Sequence, residues 1–122
     1  MKITGMSYDR YATPPLLTMY VHGHPHKRQH REVIQVLREE MWRVAQRRIG
    51  KKYLPITEDI DLKILYTNPN SPDLDHLIEA TFMALDGKTL KGPSILANDR
   101  QIQAVNMAKF YPNDATKRDG ER

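Results

Sequence analysis

Apolar and polar residues along this chain fall into two periods, two residues and about three and a half. Leu17-Thr18-Met19-Tyr20-Val21 is a short run of strand formers, with Pro14 and Pro15 before it and Gly23 and Pro25 after it. From Arg31 to Arg48 the period lengthens. Val33, Leu37, Met41 and Val44 make a stripe that Ile34 and Ala45 widen, while Arg38, Glu39, Arg43 and Arg47 occupy the other side. That pattern predicts a helix stopped by Gly50, with basic residues in its last turn where the helix dipole favours them. Ile56 to Thr67 returns to an alternation of apolar and polar positions. Ile60, Leu62, Ile64 and Tyr66 alternate with Asp59, Asp61, Lys63 and Leu65, as in a half-buried strand. A turn cluster at Asn68-Pro69-Asn70-Ser71-Pro72 precedes a second helical pattern from Asp73 to Leu85, with Leu74, Ile78, Phe82 and Leu85 on its buried face and Gly87 at its end. Lys88 to Asn98 reads as a loop, and Gln101 to Phe110 as a last strand.

The resulting order, β-α-β-α-β, predicts an α/β (or α+β) fold with one mixed sheet and helices packed on it. The 122 residues suit a single domain spanning 1–122, with a flexible lead at 1–15 and a disordered polar tail at 112–122. Trp42, Met41 and Met83 are read as core, with dimer contact as the other use of such residues. There is no cysteine, which excludes disulfides and thiolate metal sites. No apolar run is long enough to span a bilayer, so the expectation is a soluble cytoplasmic protein without a membrane partner.

Charge changes the picture by its distribution. Between His22 and Lys52 there are nine basic and three acidic residues; from Tyr53 to Arg122 there are eight basic and eleven acidic. A basic first half can hold phosphates, and an acidic second half can hold a cation that acts on them.

Three constellations can carry chemistry. Asp73 and Asp75 flank one leucine where a helix begins. They serve either as cap and dipole partners or as ligands of a hard cation such as Mg²⁺, which takes one or two carboxylates together with substrate phosphate. Asp99, in Asn98-Asp99-Arg100-Gln101, is on its own a turn residue. If the last strand lies beside the strand ending at Tyr66, Asp99 is expected near the start of the second helix, as a third carboxylate. The tract from His22 to Arg31 holds His22, His24, His26 and His30 among Lys27, Arg28 and Arg31. It is read as a phosphate-contacting loop, against a histidine metal tract or a merely solvated basic face.

The stretch from Asp73 to Gly87 resembles the central motif of the RusA family of Holliday-junction resolvases, roughly Asp-x-Asp-Asn-x-x-Lys followed by an apolar helix and a turn. Asn98-Asp99-Arg100-Gln101-Ile102 is similar to the family's second piece, Asp-Asp-x-Gln-Val entering a strand. The N-terminal strand, Gly23-x-Pro25 and the basic loop resemble its opening, so the likeness covers most of Leu17 to Phe110. The resemblance implies a Mg²⁺ site, which Mn²⁺ also fills, on Asp73, Asp75 and Asp99 as the catalytic residues. It also implies a bacterial or phage origin and a homodimer whose two-fold axis matches a four-way junction. Three features depart from the family: His76 replaces asparagine, Glu79 replaces the lysine thought to assist catalysis, and the loop before Asp99 is longer. Glu79, one turn after Asp75, is a candidate fourth ligand. Lys88 and Lys91 are candidates for the missing cation.

The activity so implied is resolution of Holliday junctions or related branched DNA by metal-activated water. His24, Lys27, Arg28, Arg31, Lys88 and Lys91 would contact DNA. The alternatives are a DNA-binding protein of the same fold with a disabled site, and an interaction domain whose acids are only caps.

Overall fold

The computed structural model describes residues 1–23, 30–69, 73–88 and 92–112. Its elements are β1 (Lys2–Asp9), β2 (Leu16–His22), α1 (His30–Ala45), β3 (Ile60–Thr67), α2 (Leu74–Leu85) and β4 (Ile102–Phe110). The strands form one mixed sheet in the order β1-β2-β3-β4. β1 runs antiparallel to β2, while β2, β3 and β4 are parallel neighbours. Each parallel step crosses over through a helix, as parallel pairing requires. α1 and α2 pack against one another, which places both on one face of the sheet.

The core lies between that face and the helices. Leu17, Met19 and Val21 of β2 and Ile60, Leu62, Ile64 and Tyr66 of β3 are nearly inaccessible there, together with Leu37 and Met41 of α1. The alternation read in β3 is therefore the alternation observed. Met41 is core, and Trp42 and Met83 are half-buried. α1 ends in a wide π turn over Gln46–Gly50, where Gly50 takes φ +105°, a conformation glycine adopts without cost. The mixed sheet with two helices is the expected fold class.

Four expectations are corrected. The lead, expected to be flexible, is strand β1 over residues 2–9, so the element order gains a leading strand. A bulge between Ile3 and Gly5 resets its phase, so Ile3 and Met6 both reach the core three residues apart. The buried face of α2 is Leu77, Ala80, Thr81, Ala84 and Leu85, and Leu74, Ile78 and Phe82 are only partly covered. Small side chains at 80, 81 and 84 let the helix approach closely, and the larger ones flank the contact. Thr81 is satisfied there. Its hydroxyl donates to Leu77 O at 2.6 Å and receives the Tyr66 hydroxyl at 2.6 Å.

Arg38, expected on the solvent side of α1, is 3% exposed. Its guanidinium donates to the carbonyls of Asp86 at 2.8 Å, Gly92 at 2.7 Å and Pro93 at 3.1 Å. The fork thereby fastens the segment after α2 to α1. That segment, expected as a plain loop, buries Ser94, Ile95 and Leu96, and Leu96 bridges to both Ile56 and Asp86. Gly87 makes this possible, because a Cβ there would sit 2.7 Å from Ser94 Oγ and 3.0 Å from Ala97 O. The expected tail at 112–122 lies outside the described residues apart from Pro112.

Candidate functional site

Parallel strands give the sheet two unlike edges. At one, the C-terminal ends of β2, β3 and β4 come together, with Thr67 opposite His22 on one side and Phe110 on the other. Each crossover helix starts from this edge and runs back across the sheet, so the first turns of α1 and α2 share it. In open α/β sheets ligands bind at this edge.

Asp73 and Asp75 stand here. Asp73 is extended, at φ −101° and ψ 115°, and its side chain accepts from the Asp75 amide at 3.0 Å. Its carbonyl takes the Leu77 amide, the first bond of the helix. Asp73 is thus an N-cap, and the capping role weighed from the sequence is realised. Its other carboxylate oxygen lies 3.9 Å from His76 Nε2. Asp75 is exposed in the first turn, where the positive helix end favours its negative charge. Arg31 is exposed in the first turn of α1 at the same edge, and His22 Nδ1 is 3.0 Å from Thr67 Oγ1 beside it. His24, Lys27 and Arg28 lie outside the described residues, between Gly23 and His30, both of which sit at this edge.

Asp99 is not brought to this group. β4 does lie beside β3, as expected, but it runs parallel, so Asp99, just before Ile102, sits where β3 begins at Ile60. The eight residues of β3 span roughly 23 Å, and the twelve of α2 roughly 18 Å. Asp99 and the Asp73–Asp75 pair therefore stand on the order of 20 Å apart, at opposite ends of the sheet. Asp99 opens a one-turn 3-10 helix capped by Asn98, whose side chain accepts from Arg100 N at 3.0 Å. Gln101 closes the arrangement. It accepts the Asn98 amide at 2.7 Å and donates to the carbonyls of Ile56 at 2.7 Å and Glu58 at 2.9 Å. The Asp-x-Gln piece thus latches the entry of β4 onto the approach to β3, a role the sequence reading missed. A buried glutamine two residues after an aspartate, at a strand start, is the only trace such a latch leaves in a sequence.

Glu79 is exposed one turn beyond Asp75. Among the described residues no three His, Asp or Glu side chains gather closely enough to hold a metal ion, so the expected three-aspartate cluster, with or without Glu79, is not assembled. Lys88 is exposed past the far end of α2, remote from the aspartate pair, and its amide donates to Asp86 Oδ1 at 2.9 Å. Lys91 lies outside the described residues. Among these residues no helix is long and apolar enough to cross a membrane.

Among the described residues, the carboxylates that the start of α2 brings to this edge are thus Asp73 and Asp75, the first of them shared with the helix cap. Mg²⁺ accepts so few when phosphate oxygens and water complete its shell. No family model matches the chain, and neither does any curated protein or solved structure.

Proposed function

We propose that this chain is a Mg²⁺-dependent endonuclease of the RusA kind, which cuts four-way junctions or related branched DNA. The observation that carries the reading is the shared sheet edge. Parallel β2 and β3 deliver the start of α1, with Arg31, and the start of α2, with Asp73 and Asp75, to the same side of the molecule. Cations that neutralise phosphate and carboxylates that hold a metal must lie this way for hydrolysis. In this scheme Asp75, with Asp73 beside it, would hold Mg²⁺ or Mn²⁺, which would supply charge neutralisation at a backbone phosphate. Arg31 and the basic tract before it, with His24, Lys27 and Arg28, grip the flanking strand. Asp99 belongs to the fold and not to the metal shell. The proposal extends to a cytoplasmic two-fold dimer, which presents one such edge to each of two opposed strands.

A second reading is favoured by the distance of Asp99 and by Glu79 in place of the motif lysine: the same edge binds branched DNA without cutting it. One experiment separates the two. A labelled four-way junction is incubated with the protein, with and without Mg²⁺. Paired nicks that need the metal support the endonuclease, a shifted but uncut junction supports the binding protein, and no shift contradicts both.

A further inference from the structure

At the opposite edge of the sheet, where β2 and β3 begin, the turn after β1 meets the end of α1. Two adjoining cavities of about 280 and 270 Å³ open there and share Tyr8, Arg10 and Tyr53. The first adds Tyr11, Arg48 and Ile49; the second is completed by the 55–58 segment. Together they approach the size of a small-ligand cleft.

The chemistry of the first cavity is cationic and aromatic. The Arg10 guanidinium carbon sits 4.7 Å from the centre of the Tyr53 ring and 5.4 Å from that of Tyr11, and Lys52 Nζ is 5.0 Å from Tyr53. These contacts hold the Arg10 guanidinium beside both rings, and the N–H groups not turned to the tyrosine hydroxyls can meet an anion. Arg48 supplies a second fork from the turn that ends α1. Basic residues after a helix are often only dipole partners. Arg10, however, comes from a different element and converges on the same cavity. Among the described residues neither arginine forms an ion pair with a carboxylate. The nearby acids are occupied in another way: Asp9 Oδ1 takes the amides of Tyr11 and Ala12, and Glu58 accepts the Tyr8 hydroxyl. Lys52, and after it Arg10, donate hydrogen bonds to the Tyr53 hydroxyl and hold it below the ordinary phenol range. Tyr11 is 85% exposed and offers a ring with nothing packed on most of it.

We infer that this cleft binds a terminal phosphate joined to a planar base, a 5′-nucleotide unit, with Arg10 and Arg48 on the phosphate and Tyr11 and Tyr53 beside the ring. Two guanidinium forks match a phosphate dianion better than a monoanionic carboxylate. The largely uncovered Tyr11 ring suits a stacked base. The unit has two sources, a free nucleotide or the 5′ end of a DNA strand. The site is remote from Asp73 and Asp75 and does not depend on cleavage there.

The test is calorimetric titration of the full chain with dAMP, with inorganic phosphate, and with one oligonucleotide carrying either a 5′-phosphate or a 5′-hydroxyl. Saturable binding of dAMP, of the 5′-phosphorylated strand, or of both is expected, and which of them binds identifies the source. Arg10→Ala and Arg48→Ala should each weaken that binding about tenfold, the loss of one charge-assisted contact. Tyr11→Ala should weaken dAMP more than inorganic phosphate. All three side chains line an open surface, and far-UV circular dichroism checks that each variant folds. No saturable binding of any phosphate-bearing probe, equal binding of the 5′-hydroxyl strand, or an Arg10→Ala variant as tight as wild type would overturn the proposal.

Discussion

The Asp75 amide donates to the Asp73 carboxylate at 3.0 Å, so one of the two candidate metal ligands also caps the helix that carries the other. The two roles separate by substitution. Asparagine caps as well as aspartate, whereas alanine does not. Asp73→Asn should therefore leave stability nearly unchanged, and Asp73→Ala should lose about 1 kcal/mol in urea unfolding. If the carboxylate also holds metal, both variants lose Mn²⁺ affinity. Equal stability of the two variants would contradict the cap.

Arg38 should be the most costly polar side chain to remove. Its guanidinium satisfies the Asp86, Gly92 and Pro93 carbonyls around a junction of α1, α2 and the Ser94–Leu96 segment. Arg38→Met leaves these acceptors without their donor and should cost about 2–4 kcal/mol. Arg38→Lys cannot reproduce the planar fork and should recover only part of this. Urea midpoints for the three proteins check the order.

Tyr66 makes stability fall in alkali. Burial pushes its hydroxyl up to about 12. The unfolded chain ionises near pH 10, so this contribution is complete below pH 10 and is lost as pH rises towards 12. Tyr66→Phe should cost about 1 kcal/mol at neutral pH and flatten the stability profile between pH 10 and 12. An unaltered profile in the variant would contradict this assignment.

What the sequence disclosed depended on how local each feature is. β3 was legible because Ile60, Leu62, Ile64 and Tyr66 report one buried face, and the ends of both helices because Gly50 and Gly87 stop them. β1 was hidden by its bulge, which spaces Ile3 and Met6 by three residues and breaks the two-residue period. Arg38 was hidden because charge marks a residue as solvated unless its partners are known, and these are carbonyls 48 to 55 residues away. The aspartate pair at the start of α2 was legible, since its spacing is local. The place of Asp99 was not, because composition and period do not distinguish a parallel from an antiparallel neighbour, and the choice moves Asp99 from one end of the sheet to the other.

The most direct measurement on the central claim is the Asp75→Asn variant on a labelled four-way junction, scored for both binding and cleavage with Mg²⁺ present. The amide keeps the shape of the side chain and removes the charge a hard cation needs. The account predicts an unchanged band shift and loss of cleavage, with Asp99→Asn still active because Asp99 stands at the opposite end of the sheet from Asp75. Wild-type cleavage by Asp75→Asn would contradict it.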